Sequence, residues 1–238
     1  MRIMLIGYGK MGKTIEQIAL KRGHTIPVKI EVTNGAELKN ITSKDVDAAI
    51  EFTQPESAFE NIKQCIENGI PVVSGTTGWL DRKPEIEALC KAKEGAFFYA
   101  SNYSVGVNLF FHFNKYLAKI MNNHPEFEVS TEEIHHTAKK DAPSGTGITL
   151  AEGILGNIDR KKNWVNKETT NPSELSIVSK RIDPYPGEHS VFYNSPIDSI
   201  VITHTAHSRE GFATGAVMAA EFIAGKKGIF GMDDLLKF

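Results

Sequence analysis

The side chains best able to move protons are concentrated in one short stretch of the sequence. This stretch, EIHHTAKKDAPSGT, runs from Glu133 to Thr146 and contains two histidines, two lysines and two acidic residues. Histidine titrates near neutral pH, and lysine can donate a proton when its pKa is lowered. The pattern therefore predicts a site that holds a small anion and hands it a proton. A solvated surface loop is the alternative.

Each part of this stretch has a predicted task. His135 and His136 are adjacent, and neighbouring side chains on an extended segment point to opposite faces, so one of them faces a ligand unless the strand ends there. Lys139 adds an ammonium charge. The run Ser144–Thr146 leads into a helix pattern, where a hydroxyl and free N–H groups can hold a carboxylate. Such a set suits a dianionic substrate that must accept a proton.

A metal site is an alternative use of the two histidines, with Glu132 or Glu133 as a further ligand. No other Cys/His pair stands at ligand spacing in the sequence, and adjacent histidines rarely share one ion, so no metal is predicted. Arg209 could pair with a substrate carboxylate or with an acidic residue of the protein, and both readings stay open.

A second chemical motif stands near the start of the chain. Gly7, Gly9 and Gly12 form G-x-G-x-x-G directly after the apolar run Ile3 to Ile6 and at the start of a helix pattern. In this context the glycines allow a tight turn, a close approach of the backbone to a pyrophosphate, and tight packing of helix on strand. The helix N-terminus attracts the phosphates. The motif predicts a dinucleotide site, and a plain glycine turn is the alternative.

The residue expected to select the cofactor is Glu31. It lies about twenty residues beyond the glycines, at the end of the second predicted strand, where an acid accepts hydrogen bonds from the adenosine ribose. A 2′-phosphate would be repelled by this carboxylate, and Val32 and Thr33 supply no guanidinium to hold it. Lys10, within the glycine loop, could reach such a phosphate in part. NADH is therefore the preferred cofactor in this prediction, and NADPH use is possible.

Three polar loops follow predicted strands: FTQPE after Glu51, GTTGW after Ser74, and ASNYS after Tyr99. Ligands bind beyond the carboxyl ends of parallel strands, so all three loops are expected at the cofactor edge. Ordinary turn chemistry is the alternative for any one of them. The expected contacts with the ribose and nicotinamide are Thr53, Gly75, Thr77 and Asn102.

The order of the predicted elements gives the fold class, α/β. Repeated β-α units in the first hundred residues or so predict a Rossmann-type parallel sheet. The later residues predict an α+β domain with a mixed sheet, and the polar segment 159–174 is predicted to be a long mobile loop. The last helix pattern, 213–224, could return to pack on the first domain. The predicted domains are 1–104 plus 212–238 for the dinucleotide, and 105–211 for substrate binding and oligomerisation. The predicted strands are 3–6, 26–31, 48–52, 70–74, 96–100, 127–134, 175–181, 190–193 and 199–205.

Composition excludes several classes of protein. The chain has 238 residues and a net charge of −2, which gives no overall attraction to nucleic acid or to an anionic membrane. No apolar run reaches the roughly 18 residues that a membrane span needs. Cys65 and Cys90 lie in apolar helix patterns and are interpreted as buried thiols in a reducing compartment. A cytoplasmic protein without nucleic-acid or membrane partners is the expectation.

Several motifs together resemble the 4-hydroxy-tetrahydrodipicolinate reductase family, also called dihydrodipicolinate reductases. HHTAKKDAPSGT is similar to the H-H-x-x-K-x-D-A-P-S-G-T signature of that family. GYGKMG, FTQPE, GTTGW, SNYSVGVN, GEHSV and ITHTAHSREGFATGA resemble further family motifs in the same order. The resemblance covers nearly the whole chain. This chain is shorter than most members between Glu31 and Val46, it lacks the Arg that follows the ribose-binding acid in some members, and Asp183 stands where Gly is commoner.

The resemblance implies reduction of a cyclic imine dicarboxylate with NAD(P)H in lysine and diaminopimelate synthesis. By the family pattern, His135 is a proton donor and acceptor and Lys139 a proton donor. His136, Gly145 and Thr146 bind the substrate carboxylates, beside Ser144. The family also implies a homotetramer joined through the sheets of the second domains. The implied cofactor-lining residues are Gly7, Tyr8, Gly9, Lys10, Met11, Gly12, Gly75, Thr76, Thr77, Ala100, Ser101, Asn102 and Tyr103.

Two other functions remain open at this point. One is a different amino-acid dehydrogenase of the same architecture, acting on aspartate or its semialdehyde, although a catalytic Cys in a strand-end loop is missing for acylation chemistry. The other is a non-catalytic NAD(H)-binding sensor, which would have no use for HHTAKKDAPSGT. A general acid next to a reacting imine contributes roughly 10²–10⁴-fold to a rate, so loss of Lys139 or His135 separates an enzyme from a sensor.

Overall fold

The computed structural model describes residues 1–208 and 210–238, which form two compact units. The first unit contains Met1–Val105 and Glu210–Phe238, and the second begins at Gly106. The residue Arg209, for which a carboxylate-pairing role was considered, lies outside the described residues. The ligand-binding roles of the two units stay predictions at this point.

The first unit is built on a six-stranded parallel sheet with the strand order β11-β5-β4-β3-β1-β2. Residues Ile3–Ile6 of β1 contribute alternately to the apolar clusters on its two faces, so this part of the strand is apolar, as a strand of a parallel sheet with covered faces must be. In the sheet, β2 lies on one side of β1, and β3 and the strands that follow it lie on the other side. The direction in which strands are added therefore reverses at β1. The elements are β1 Arg2–Ile6, α1 Lys10–Lys21, β2 Thr25–Ile30, β3 Ala48–Glu51, α2 Pro55–Glu67, β4 Val72–Ser74, α3 Lys83–Ala92, β5 Ala96–Tyr99, α6 Glu210–Ile223, β11 Gly228–Phe230 and α7 Met232–Leu236.

The helix α6 packs on the first sheet, as its Ala-rich pattern predicted. Its small side chains are buried in the same cluster as β1 and β3. A Cβ at Gly215 would lie 1.7 Å from the carbonyl oxygen of Tyr103, so glycine is required where the helix crosses the loop after β5. The C-terminal segment therefore completes the core of the first unit.

The second unit contains a mixed five-stranded sheet with the order β10-β9-β6-β8-β7, in which β6 pairs antiparallel with β9 and parallel with β8. Alternate residues of β6 are buried because one face of the strand packs against α4 and α5. The parallel sheet of the first unit and the mixed sheet of the second confirm the predicted fold class. The elements are α4 Val105–Met121, β6 Glu128–His135, α5 Gly145–Leu155, β7 Asn163–Val165, β8 Glu174–Arg181, β9 Gly187–Asn194 and β10 Ser199–Ala206.

The structure differs from the sequence prediction in the segment 159–174. Instead of a continuous loop it contains the edge strand β7, which pairs with β8. Lys161 is buried there and its ammonium group contacts Glu128 and donates to the carbonyl oxygen of Glu174 at 2.7 Å. Periodicity could not reveal a three-residue strand in a polar setting. The short elements β11 and α7 and the 3-10 helices Gly35–Asn40 and Leu80–Arg82 were also not predicted.

Candidate functional site

The glycine loop of the first unit has the geometry that a pyrophosphate requires. Gly7 has a φ of +92°, and a Cβ there would lie 2.0 Å from the carbonyl oxygen of Phe52. A Cβ at Gly12 would lie 2.3 Å from the carbonyl oxygen of Gly7. A Cβ at Gly9 would meet no described atom within 4 Å, so this glycine faces open space. Gly7 and Gly12 thus fold the loop tightly, and Gly9 leaves its outer side open to a ligand.

The start of α1 supports the same use. Gly9 is the N-cap, and the first turn, KMGK, carries no acidic residue. The orphan N–H groups and the positive end of the helix dipole are therefore available to phosphate oxygens. The loop also lies at the point where the strand order reverses, beside the end of β3. Open α/β sheets bind ligands at this point. The residues present fit a dinucleotide.

The carboxylate of Glu51, at the end of β3, fixes two of the predicted cofactor loops. It is fully buried and accepts hydrogen bonds from the backbone N–H of Thr53 at 2.9 Å, the Ser74 hydroxyl at 2.6 Å and the Thr76 hydroxyl at 2.8 Å. The Thr53 hydroxyl donates to it as well. FTQPE and GTTGW are therefore held together by one acid, which the sequence did not single out.

The predicted cofactor residues of the first unit occupy three kinds of position. Tyr103 is buried in the core, where its hydroxyl donates to the carbonyl oxygen of Ser74 at 2.6 Å and its ring stacks on Phe98. Its side chain therefore shapes the loop from behind. The exposed predicted residues are Gly9, Lys10, Glu31, Thr77 and Ser101, the half-buried ones are Gly7, Tyr8, Met11, Thr53, Gly75 and Asn102, and Gly12, Thr76 and Ala100 are buried with Tyr103.

A charged cluster beside the glycine loop bears on cofactor choice. Lys29, on β2, forms an ion pair with Glu16 at 2.6 Å and donates to the Tyr8 hydroxyl at 3.1 Å. Tyr8 in turn donates to Glu16. The Lys29 ammonium is the main reason that the pKa of Glu16 is lowered. This cation is thus engaged by its neighbours, whereas Glu31 is exposed at the end of the same strand.

In the second unit, the carboxylate of Glu133 lies beneath the start of α5. Both of its oxygens are 3.0 Å from the backbone nitrogen of Ser144, and the Ser144 and Ser179 hydroxyls also donate to it. The Glu133 side chain is 1% exposed. Burial alone would raise the pKa of this carboxyl, but donor groups of His189, Ser144 and Ser179 more than offset that effect and lower the pKa to about 2. The group is a buried anion at neutral pH.

His135 lies on the same face of β6, next to this carboxylate. Its ring is 5.0 Å from the ring of His189, and its Nδ1 is 4.0 Å from Glu133 Oε1 and has no hydrogen-bond partner among the described residues. The pKa of His135 is lowered to about 4, first by burial and second by His189, while Glu133 acts in the opposite direction. The imidazole is therefore neutral at pH 7 in the ligand-free protein. A Cβ at Gly187 would lie 3.3 Å from His135 Nε2, so this glycine makes room for the ring.

Lys139 lies in the loop between β6 and α5. Its ammonium group contacts both carboxylate oxygens of Asp141, at 2.9 and 2.8 Å, and this contact is the main reason that the pKa of Asp141 is lowered. The Arg181 guanidinium, at the end of β8, donates to the carbonyl oxygen of Lys139 at 3.2 Å and to that of Asp141 at 2.6 Å. The backbone of the loop is thus held to β8, and the Lys139 side chain is paired with an exposed acid.

The predicted carboxylate cradle, Ser144–Thr146, forms the N-cap and the start of the first turn of α5. Ser144 is the N-cap of α5 and its hydroxyl accepts from the backbone N–H of Gly147 at 3.0 Å. Gly145 is exposed and Thr146 half-buried in the first turn, where orphan N–H groups can meet an anion. His136 is half-buried just after β6 ends. The structure therefore brings His135, Lys139 and the cradle to one end of the second sheet.

The unusual Asp183 has a clear role in this end of the sheet. Its carboxylate accepts from the Thr137 backbone N–H at 3.1 Å and from the Thr137 hydroxyl at 2.7 Å. A glycine could not make these bonds. Asp183 thus ties the segment after His136 to the turn between β8 and β9.

Glu133, His135 and His189 could together reach a metal ion, because their ligand atoms lie within 4.8 Å of one another. The carboxylate, however, already accepts bonds from one backbone N–H and two hydroxyls. A metal would have to displace these donors. We therefore interpret the three residues as a buried cluster in which hydrogen bonds hold the Glu133 carboxylate beside the two imidazoles. The sequence missed His189, whose approach to His135 depends on the antiparallel pairing of β6 and β9.

Comparison with known proteins places the whole chain in one family. Residues 1–103 match the family model of the dihydrodipicolinate reductase N-terminus, and residues 106–236 match that of the C-terminus. A 4-hydroxy-tetrahydrodipicolinate reductase of Christiangramia forsetii is 48% identical over 99% of this chain and 98% of the relative. That of Caldanaerobacter subterraneus subsp. tengcongensis is 33% identical over 96% of this chain and 95% of the relative.

Solved structures agree on the fold. The dipicolinate-bound dihydrodipicolinate reductase from Paenisporosarcina sp. TG-14 has a TM-score of 0.77 at 19% identity and covers 98% of both chains. Aspartate semialdehyde dehydrogenase II from Vibrio cholerae gives a TM-score of 0.54 at 13% identity, over 93% of this chain and 97% of that one. Within the residues that the structure describes, no helix has the length and apolar character needed to cross a membrane.

Proposed function

This chain belongs to the dihydrodipicolinate reductase family, and from that premise we infer which step of the reaction each of the residues described above performs. It is an NAD(P)H-dependent oxidoreductase that reduces 4-hydroxy-tetrahydrodipicolinate to tetrahydrodipicolinate in lysine and diaminopimelate synthesis. The observation that carries the assignment of residues is the β6–α5 segment, where His135, Lys139 and the start of α5 lie at one end of one sheet.

In this proposal, the N-terminus of α5 holds a substrate carboxylate. The N–H groups of Gly145 and Thr146 bind the oxygens, and Ser144 supplies the N-cap. His136 contributes a further donor. A substrate with two carboxylates is thereby oriented before it reacts, and such positioning can lower the activation free energy by several kcal/mol.

Lys139 is the proposed proton donor. When bound, the reduced dinucleotide supplies a hydride to the ring, and the negative charge left there must be neutralised by a proton; with 4-hydroxy-tetrahydrodipicolinate as substrate, water also leaves. The amino group of Lys139 is paired with Asp141 at 2.8 Å, so an N–H donor lies at this position. His135 is neutral before substrate binds, because burial lowers its pKa to about 4. A nearby dianion favours the protonated imidazole, so His135 can then accept and return a proton.

The cofactor side is proposed to use the glycine loop Gly7–Gly12, the loops held by Glu51, and Glu31. We propose a preference for NADH over NADPH. The Glu31 carboxylate is exposed directly after β2 and would repel a 2′-phosphate bound beside it, and Lys29 is already paired with Glu16. Lys10 is the exposed cation that could allow some use of NADPH.

A homotetramer is the proposed assembly, joined through the second sheets. Alternate residues of β6, β8 and β9 point away from α4 and α5, and Ile134, Val178 and Phe192 among them are only half-buried. A second sheet packed there would cover them, and light scattering after gel filtration tests this. Cys65 and Cys90 are free and buried, which fits the proposed cytoplasmic location.

The test of the function is a coupled assay. Purified protein is mixed with the freshly made product of the preceding synthase, and the loss of reduced-nicotinamide absorbance is followed with NADH and with NADPH. We expect turnover with both and a higher kcat/KM with NADH. Turnover with neither cofactor would contradict the assigned reaction, and equal kcat/KM values would contradict only the preference.

A further inference from the structure

We propose that Glu133 is a positioning residue that fixes the carboxylate cradle and the Lys139 loop relative to one another. The inference rests on the proposed function of the β6–α5 segment and adds a residue that does not itself touch the substrate. Glu133 is buried on β6, two residues before His135, and it connects to both sides of the site.

The first connection runs to the cradle. The Ser144 backbone nitrogen lies 3.0 Å from each oxygen of Glu133, and the Ser144 hydroxyl donates to Oε2. Ser144 Oγ in turn accepts from Gly147 and lies 3.0 Å from His189 Nε2. The carboxylate therefore fixes the N-cap residue of α5 and, with it, the direction of the first free N–H groups of the helix.

The helix has been shaped to admit this carboxylate. A Cβ at Gly147 would lie 2.7 Å from Glu133 Oε2, closer than real contacts allow. The carboxylate has little freedom to move aside, because Ser144 and Ser179 hold its two oxygens from different sides. Gly147 is therefore the position at which the helix and the acid meet directly.

The second connection runs to the proton donor. The Arg181 guanidinium lies 3.7 Å from Glu133 Oε1 and donates to the backbone oxygens of Lys139 and Asp141. Arg181 is thus held between the buried acid and the loop. One carboxylate consequently determines the position of both the anion-binding N–H groups and the loop that carries Lys139.

The ionised acid is required for this arrangement, rather than any polar group of the same shape. A carboxylate is an acceptor at both oxygens, and here it accepts from the Ser144 N–H and from the hydroxyls of Ser144 and Ser179 while facing the Arg181 guanidinium. A glutamine would turn an N–H₂ group towards at least one of them. A buried donor left without an acceptor weakens the site far more than the loss of an exposed bond.

The experiment compares Glu133→Gln with Glu152→Gln, which makes the same chemical change at an exposed position on α5. We expect Glu133→Gln to lower kcat/KM for the dicarboxylate by roughly ten- to hundredfold, through a higher KM and a lower kcat. The Kd for NADH, measured by fluorescence, should change less than twofold in both variants. Glu152→Gln should retain wild-type constants, and an unchanged kcat and KM in a folded Glu133→Gln would overturn the proposal.

A second variant and a second ligand keep the outcome decisive. If Glu133→Gln fails to fold by circular dichroism, Gly147→Ala, which pushes on the same carboxylate, should raise KM in the same way, and its wild-type behaviour would reject the proposal. Calorimetric binding of dipicolinate in the presence of NADH separates this inference from the reaction assignment. If the wild type bound dipicolinate but showed no turnover, the assigned reaction would be wrong. Loss of dipicolinate binding in the variant would still support the positioning role of Glu133.

Discussion

Two buried carboxylates, Glu51 in the first unit and Glu133 in the second, organise the two proposed ligand regions in different chemical settings. Both are almost fully buried, and both gather loops that come from separate elements. Glu51 accepts bonds from neutral hydroxyl and backbone N–H groups. Glu133 accepts similar bonds but also has His135, His189 and Arg181 within 4 Å. The same device shapes the proposed cofactor edge in one unit and the proposed proton-transfer centre in the other.

The contrast implies that substitutions near Glu133 change mainly kcat and the KM for the dicarboxylate, whereas those near Glu51 change mainly the affinity for the cofactor. The distinction follows from what each acid contacts. Hydroxyl and N–H donors can only fix the position of loops, whereas titratable groups change their charge when a ligand arrives. The following predictions test whether the two regions separate in this way.

The largest effect is expected for Lys139→Ala. Removing the proton donor should lower kcat by about 10²–10⁴-fold, the usual contribution of general acid catalysis. The Kd for NADH should stay within a factor of about two, because the cofactor residues belong to the first unit. His135→Ala should behave in the same direction. Normal turnover by both variants in the coupled assay would show that the assigned roles are wrong.

A smaller effect is expected for Glu51→Gln, and it should appear in the affinity for NADH rather than in kcat. The buried amide would face the hydroxyls of Ser74 and Thr76, so the loops that line the cofactor edge should loosen. We expect the Kd for NADH to rise roughly tenfold. The kcat at saturating NADH should change little. A variant that lost kcat while keeping its NADH affinity would remove the contrast between the two carboxylates.

Glu31→Gln tests the proposed preference for NADH over NADPH. Without the carboxylate, the repulsion of a 2′-phosphate disappears and part of the hydrogen bonding to the ribose is retained. We expect the ratio of kcat/KM for NADPH over NADH to rise about fivefold, equal to roughly 1 kcal/mol. The ratio is obtained from parallel assays, with Glu37→Gln, an exposed acid farther along the chain, as the matched control.

The smallest effect concerns acid stability. The folded-state pKa of His135 is about 4, below the usual 6.5, chiefly because the ring is buried. The unfolded chain therefore binds a proton that the folded chain refuses, so stability is full above pH 6.5 and falls as the pH drops towards 4. Glu133, with a pKa of about 2, acts in the same direction at lower pH.

We therefore expect urea unfolding of His135→Asn to depend less on pH between 6.5 and 4 than that of the wild type. The pKa of His204 is lowered too, mainly by burial, and this contribution is common to both proteins. The difference in slope isolates His135. A variant as pH-sensitive as the wild type in that interval would contradict a buried neutral imidazole.

Local sequence patterns predicted those parts of the molecule whose geometry is set by neighbours along the chain. Gly7 and Gly12 meet atoms of their own loop and of the adjacent strand end, and Ser144 caps the helix that it precedes. The repeated β-α units of the first hundred residues predicted a parallel sheet, because a crossover helix connects parallel strands. These expectations were confirmed in the fold.

The buried networks could not be predicted in this way. The hydroxyl of Ser179 reaches Glu133 from β8, and His189 approaches from β9, at 46 and 56 positions farther along the sequence. Their meeting depends on strand register, which periodicity does not specify between distant strands. The lowered pKa of His135 follows from the same meeting, so sequence reasoning could name the histidine but not its protonation state.

The Arg181 contacts have a practical consequence for labelling. Because the guanidinium binds main-chain oxygens of Lys139 and Asp141, the course of the loop does not depend on the side chain between them. Lys140 is exposed, and both native thiols are buried. A Lys140→Cys substitution should therefore accept a maleimide dye at that position alone, and the dye would give an optical report each time a ligand enters the neighbouring cradle.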